Sequence, residues 1–286
     1  MLFCQLGHAQ SLREITGGLA ASDLPIRAPC DGAADHVIIP HGMTPQDDTA
    51  IDKPMSEAAR LSGVYFSPGK VFADIAARPR FWAPLIIMML LALGYTYSIG
   101  QKIGWEHVVR QQAETNQRFL DTPADQRERG IAIGTKIATI VGYISPVFVA
   151  VGLLVIAGVL MFVFNSMFSA GLNFKQMFAI VTYAGLAGAV STVLSIVMLF
   201  VKNPDEFDVQ HPLAFNLGAF LPEGSSKALL AFASSIDLFT LWTIALIAIG
   251  LSTAARKLTF GKALAGVLIP WAVVVLIKVG WAAFRG

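Results

Sequence analysis

Charge is what this chain has least of. Asp, Glu, Lys and Arg make up 14% of its 286 residues, where soluble domains carry about 25%. Hydrophobic residues reach 55%. So little charge excludes an ordinary soluble globule, and so apolar a chain excludes a disordered one. A net charge of +2 excludes the basic field that nucleic acid binding requires. Cysteine is nearly missing: only Cys4 and Cys30 occur, both in a polar N-terminal stretch. That excludes a disulfide framework and a Cys-based zinc site. The five histidines, at 8, 36, 41, 107 and 211, lie outside every long apolar run and outside any H-E-x-x-H pattern. Gly-rich phosphate loops and Gly-x-Ser-x-Gly elbows are missing too, so no cofactor, metal ligand or catalytic residue is expected. What remains is an all-α, polytopic membrane protein whose surroundings are the lipid bilayer.

Stretches free of ionisable residues mark the spans, because one charge at mid-bilayer costs about 2.5–3.5 kcal/mol on insertion scales. Five such stretches occur, at 81–101, 137–174, 176–201, 238–255 and 263–277. With about 20 helical residues needed per crossing, they predict a five-helix bundle. Its spans lie near 81–99, 137–164, 178–201, 236–254 and 263–284. The second stretch reads as one tilted helix with Pro146 near its start, followed by a connection through Asn165 and Gly171. A hairpin of two short spans over 137–174 is the alternative. Trp82, Tyr95, Tyr97, Trp271 and Trp281 suit the headgroup level. Ala184 and Gly188, with Ala187, Ser191 and Ser195, have the small-residue spacing of close helix packing in lipid.

The segments between the spans carry local signals. Ser67-Pro68 predicts a capped helix start, with Val71, Phe72 and Ile75 on one face and Pro79 ending it. This reads as an interfacial helix lying on the membrane surface. Trp105, Val108, Val109, Gln112, Phe119 and Leu120 keep helical spacing in the first loop. Thr122-Pro123-Ala124-Asp125 has the form of a capping box. The loop 202–235 holds Phe207, Phe215 and Phe220, so it is expected to fold against the bundle mouth. Ser234 and Asp237 have the spacing of a cap at the start of the fourth span.

Orientation follows the lysines and arginines nearest the spans. Lys70, Arg78, Arg80, Lys175, Arg256, Lys257 and Lys262 gather on the side of the N-terminus. Lys202, Lys227 and Arg285 lie on the other side, together with six cations of the 101–136 loop that mostly stand away from span ends. The N-terminus is therefore expected in the cytoplasm and the C-terminus outside. The start, Met1 to His8, lacks a basic leader, so the first span is expected to act as an uncleaved anchor. Two ionisable residues fall inside the predicted spans. Asp237 reads as a helix-terminal cap or as an ion-binding carboxylate, and Lys278 as a snorkelling cation or its partner.

From about Leu61 onward the chain resembles bacterial members of the Yip family, the Ypt/Rab-interacting protein domain. The resemblance rests on Phe66-Ser67-Pro68-Gly69-Lys70 and on Asn203-Pro204-Asp205-Glu206-Phe207-Asp208. It rests most on Asp237-Leu238-Phe239-Thr240-Leu241-Trp242 running to Ala248-Ile249-Gly250-Leu251-Ser252. It implies a five-helix membrane domain over 55–286 in a bacterial inner membrane, with a cytoplasmic N-terminus. It also implies a non-catalytic role through a protein partner or membrane organisation. A small transporter or permease component using Asp237 and Lys278 is the alternative. The first 22 residues, with Met1-Leu2-Phe3-Cys4-Gln5-Leu6, Ser11-Leu12-Arg13-Glu14-Ile15 and Gly17-Gly18-Leu19-Ala20, resemble a fragment of an insertion-sequence transposase. Residues 23–54 carry five prolines and no aromatic residue. Residues 1–54 are accordingly read as a leader without regular elements, and translation is expected to begin at Met55.

Overall fold

A computed structural model describes residues 54–285 apart from 115–116, 205–206, 210–211, 223 and 256. The leader, the expected transposase remnant and Cys4, Cys30, His8, His36 and His41 lie outside the described residues. So does His211. The described chain is all helical. Its α-helices are α1 (Glu57–Phe66), α2 (Pro68–Ala77), α3 (Trp82–Lys102), α4 (Trp105–Glu114), α5 (Gln117–Leu120) and α6 (Ala124–Tyr143). They continue as α7 (Ser145–Phe168), α8 (Phe174–Ala184), α9 (Leu186–Val201), α10 (Lys227–Ala233), α11 (Leu238–Ala254) and α12 (Phe260–Arg285).

Among the described residues, four segments are long and apolar enough to cross a membrane: Trp82–Lys102, Ser145–Phe168, Phe174–Val201 and Phe260–Phe284. The fifth predicted span, α11, has 17 residues. At 1.5 Å per residue it is about 26 Å long, slightly short of a hydrocarbon core of about 30 Å.

Two of these boundaries differ from the sequence expectation for physical reasons. The second span does not begin at 137, because α6 ends at Tyr143 and Ile144 leaves helical geometry at φ −89°, ψ 2°. Pro146 has no N–H to continue the α6 ladder and sits instead in the first turn of α7, where the missing donor is harmless. The span then runs unbroken to Phe168, not 164, as one crossing and no hairpin. Ser169 and Gly171, both at positive φ, reverse the chain. Asn165 fixes that turn by donating to Leu172 O at 2.9 Å and accepting from Leu172 N–H at 3.2 Å. The third span starts earlier than 178 because Asn173 and Gln176 form a reciprocal capping box, and it is interrupted at Gly185 between α8 and α9.

The capping box expected at Thr122 is not formed. Pro123 holds the N-cap position of α6, and Thr122 Oγ1 donates backwards to Phe119 O at 2.6 Å. Ser67 stands at the N-cap of α2 with Pro68 in the first turn, but its side chain makes no capping bond. In the 202–235 loop, Phe207 is buried with Ile99, Val108 and Leu199. Phe215 packs edge-on against Phe239 at 5.6 Å, whereas Phe220 is exposed.

The largest departure concerns the helix expected on the membrane surface. It is half of an antiparallel hairpin, α1–Ser67–α2, that packs into the bundle. Val71, Phe72 and Ile75 are fully buried, as is Val64 of α1. Their partners are helices: a β-carbon at Gly250 of α11 would stand 2.5 Å from Ile180 of α8 and 3.0 Å from Phe72. The missing β-carbon leaves the space that these two side chains fill.

Candidate functional site

The hairpin's position along the bundle can be followed from one contact to the next. At its open end, Gln176 Nε2 donates to Ala76 O at 2.9 Å. Midway, Phe72 meets Ile180 and Gly250. Near its tip, Tyr65 packs on Trp242 with ring centroids 5.6 Å apart and donates to Leu186 O at 2.9 Å. From Gln176 to Leu186 the path is about 15 Å at the helical rise, so the hairpin reaches a third of the way or more along the third span.

Its two arms are locked by a buried ionic cluster. Arg60 is 1% exposed. Its Nε donates to Asp74 Oδ2 at 2.6 Å, its second terminal nitrogen to Arg78 O at 3.2 Å, and its first to Glu57 Oε1 at 3.4 Å. Asp74 also accepts from Arg78 at 3.4 Å and from Met55 N–H at 3.5 Å. The far oxygen of Glu57 accepts from the Tyr183 hydroxyl at 2.7 Å, which ties α1 to the third span. Arg80 stands 3.7 Å from Glu57 at the rim. Every nitrogen of the Arg60 fork therefore has an acceptor, the condition under which a buried guanidinium is tolerated. The cluster can hold a helix pair in register; with its donors and acceptors engaged, it has no free group poised for acid–base work.

The residues singled out from sequence fall elsewhere. Asp237 is itself the N-cap of α11: Oδ2 accepts from Thr240 N–H at 2.8 Å and from Thr240 Oγ1 at 2.9 Å. The Ser234–Asp237 cap is thus displaced by three residues, because Ser234 closes α10 as its C-cap and α11 begins only at Leu238. Lys278 reaches the same corner. Its ammonium donates to Ser235 Oγ at 3.1 Å and Ser234 Oγ at 3.4 Å. The structure brings the two residues to one corner but binds Lys278 to hydroxyls. In the small-residue stripe, Ala184 is buried, while a β-carbon at Gly188 would meet open space. Ser191 contributes its carbonyl as acceptor for Ser195 Oγ at 2.9 Å. Among the described residues no group of three His, Cys, Asp or Glu side chains could hold a metal ion.

Outside the bundle, Arg110 of α4 bridges Glu106, at 2.8 Å, and Glu128 of α6, with two bonds of 3.0 Å. Hydrogen bonds from Arg110 hold the Glu128 carboxyl below its ordinary pKa. Bonds to Glu128 and then Glu106 hold Arg110 above its own.

Sequence reasoning missed the Arg60 cluster altogether. A signal was present in Ser56, which caps α1 by accepting from Ala59 N–H at 3.2 Å, and in the Glu57/Arg60 pair one helical turn apart. Its weight comes only from Asp74, fourteen residues on, which no local window contains.

A family model described as the Yip1 domain matches residues 62–282. No curated protein matches the chain, and no solved structure does.

Proposed function

Because the chain belongs to the Yip1 domain family, we propose that it works without catalysis, as a membrane protein that engages a protein partner through the α1–α2 hairpin. The observation that carries this reading is the contrast within the hairpin. Its base is pinned by Arg60, yet its tip leaves Phe66 85% exposed, with Ser67, Gly69 and Lys70 exposed beside it. A large aromatic left uncovered at the tip of a packed hairpin has the character of a contact residue.

The basic residues Arg78, Arg80, Lys175, Lys257 and Lys262 lie at chain positions flanking the hairpin end of the bundle. On the positive-inside rule this end faces the cytoplasm, and a bacterial inner membrane is the expected setting. Transport through Asp237 and Lys278 draws less support, since Asp237 is engaged as a cap and Lys278 by two serines.

The test is photo-cross-linking in native membranes from a probe at position 66, with a probe at Val274 on a lipid-exposed face of α12 as control. A reproducible protein adduct specific to position 66 is expected. Lipid adducts alone from both positions would rule the partner role out.

A further inference from the structure

A second surface, on the opposite flank of α8 from the buried hairpin cluster, has the chemistry of a lipid site. A groove of about 320 Å³ runs between α3, α7 and α8. Trp82, Leu85, Ala150, Leu154 and Phe178 form its walls, and Lys175 contributes to its lining. The walls are apolar throughout. Lys175 is the second residue of α8 and is exposed. Its ammonium has no hydrogen-bond or ion-pair partner among the described residues. The lining contains no carboxylate.

We infer that this groove holds one acyl chain of an anionic phospholipid whose phosphate is bound by Lys175. Three features select that occupant. The groove lies between membrane-crossing helices, where hydrocarbon chains are the surrounding medium. Its apolar walls offer no hydrogen bond to a polar ligand or to a peptide backbone. Trp82 and Lys175 belong to the first turns of their helices, the level at which indole rings and snorkelling ammonium groups meet headgroups. The unpaired cation then separates anionic from zwitterionic lipid. One lysine near such a surface supplies about a fivefold preference.

The experiment uses the full chain in nanodiscs of equal phosphatidylglycerol and phosphatidylcholine, released into native mass spectrometry. The wild type is expected to keep one phosphatidylglycerol about fivefold more often than one phosphatidylcholine. Lys175→Gln should keep a lipid but lose the preference, whereas Lys257→Gln, a surface cation beyond the groove, should behave as wild type. Ala150→Phe fills the groove and should lose both adducts. Equal selectivity in Lys175→Gln, or undiminished adducts in Ala150→Phe, overturns the assignment. A second measurement does not depend on how Ala150→Phe folds. Brominated-chain phosphatidylglycerol should quench the wild type more than Trp82→Phe, and brominated phosphatidylcholine should do so less. Equal quenching of Trp82 by the two lipids also overturns it.

Discussion

The hydroxyl of Tyr65 donates to the carbonyl of Leu186 at 2.9 Å, joining residues 121 apart in the chain. Leu186 is the first residue of α9, directly after the interruption at Gly185. A carbonyl oxygen has two lone pairs, so Tyr65 can add its bond to one that the helix itself also uses. The hairpin thus supplies a polar group to the span it packs against, beside the interruption.

Removing that hydroxyl isolates its contribution. Tyr65→Phe keeps the ring contact with Trp242 and deletes only the donor, so a loss of about 1 kcal/mol is expected. Unfolding in mixed detergent and SDS micelles measures the loss. Hydrogen exchange should rise locally around residues 185–190. If exchange changes evenly over the whole bundle, the bond has no special tie to the break.

The Arg60–Asp74 pair makes a sharper prediction, because breaking a buried ion pair differs from replacing it. Arg60→Met leaves Asp74 with weak contacts from Arg78 and Met55, and a loss of about 3–5 kcal/mol is expected. Arg60→Met with Asp74→Leu removes both charges and should recover most of that loss. A double-mutant cycle on the same unfolding assay decides it. Additive losses would mean that the two side chains act separately.

Much of the bundle was legible because the insertion cost of a charge acts on local composition. Charge-free runs therefore locate Trp82–Lys102 and Phe174–Val201 to within a turn or so, while Lys278 cuts the last run seven residues short of Phe284. The hairpin was not legible, since Glu57, Arg60 and Asp74 look like solvated charges until the fold brings them together. The break before Pro146 was half legible: the proline marks a helix start, but apolar residues on both sides hide the end of α6. Asp237 was recognised as a cap residue, though assigned to the wrong place in the cap. Two adjacent caps, Ser234 ending α10 and Asp237 opening α11, share a spacing that imitates one capping box.

That corner separates capping from ion chemistry. Asn caps helices as well as Asp does, so Asp237→Asn should leave stability nearly unchanged. Asp237→Ala removes the acceptor for Thr240 and should cost about 1 kcal/mol. Thermal unfolding of the two variants in one detergent checks this. A carboxylate used for ion binding would reverse the pattern, with Asn as damaging to function as Ala and little change in stability for either.

Acid should loosen α4 from α6 before it touches the bundle. Glu128 is fully exposed and its carboxyl is held below the ordinary range by hydrogen bonds from Arg110. Its stabilising effect is then complete above the unfolded value of about 4.3 and is lost as pH falls through the lower folded value. Spin labels at Gln111 and Asp125 should report a fixed separation at pH 7 and a broadened one at about pH 3. In Glu128→Gln the distribution should already be broad at pH 7 and should change much less on acidification. A pH step of undiminished size in that variant would trace the loosening to some other carboxylate.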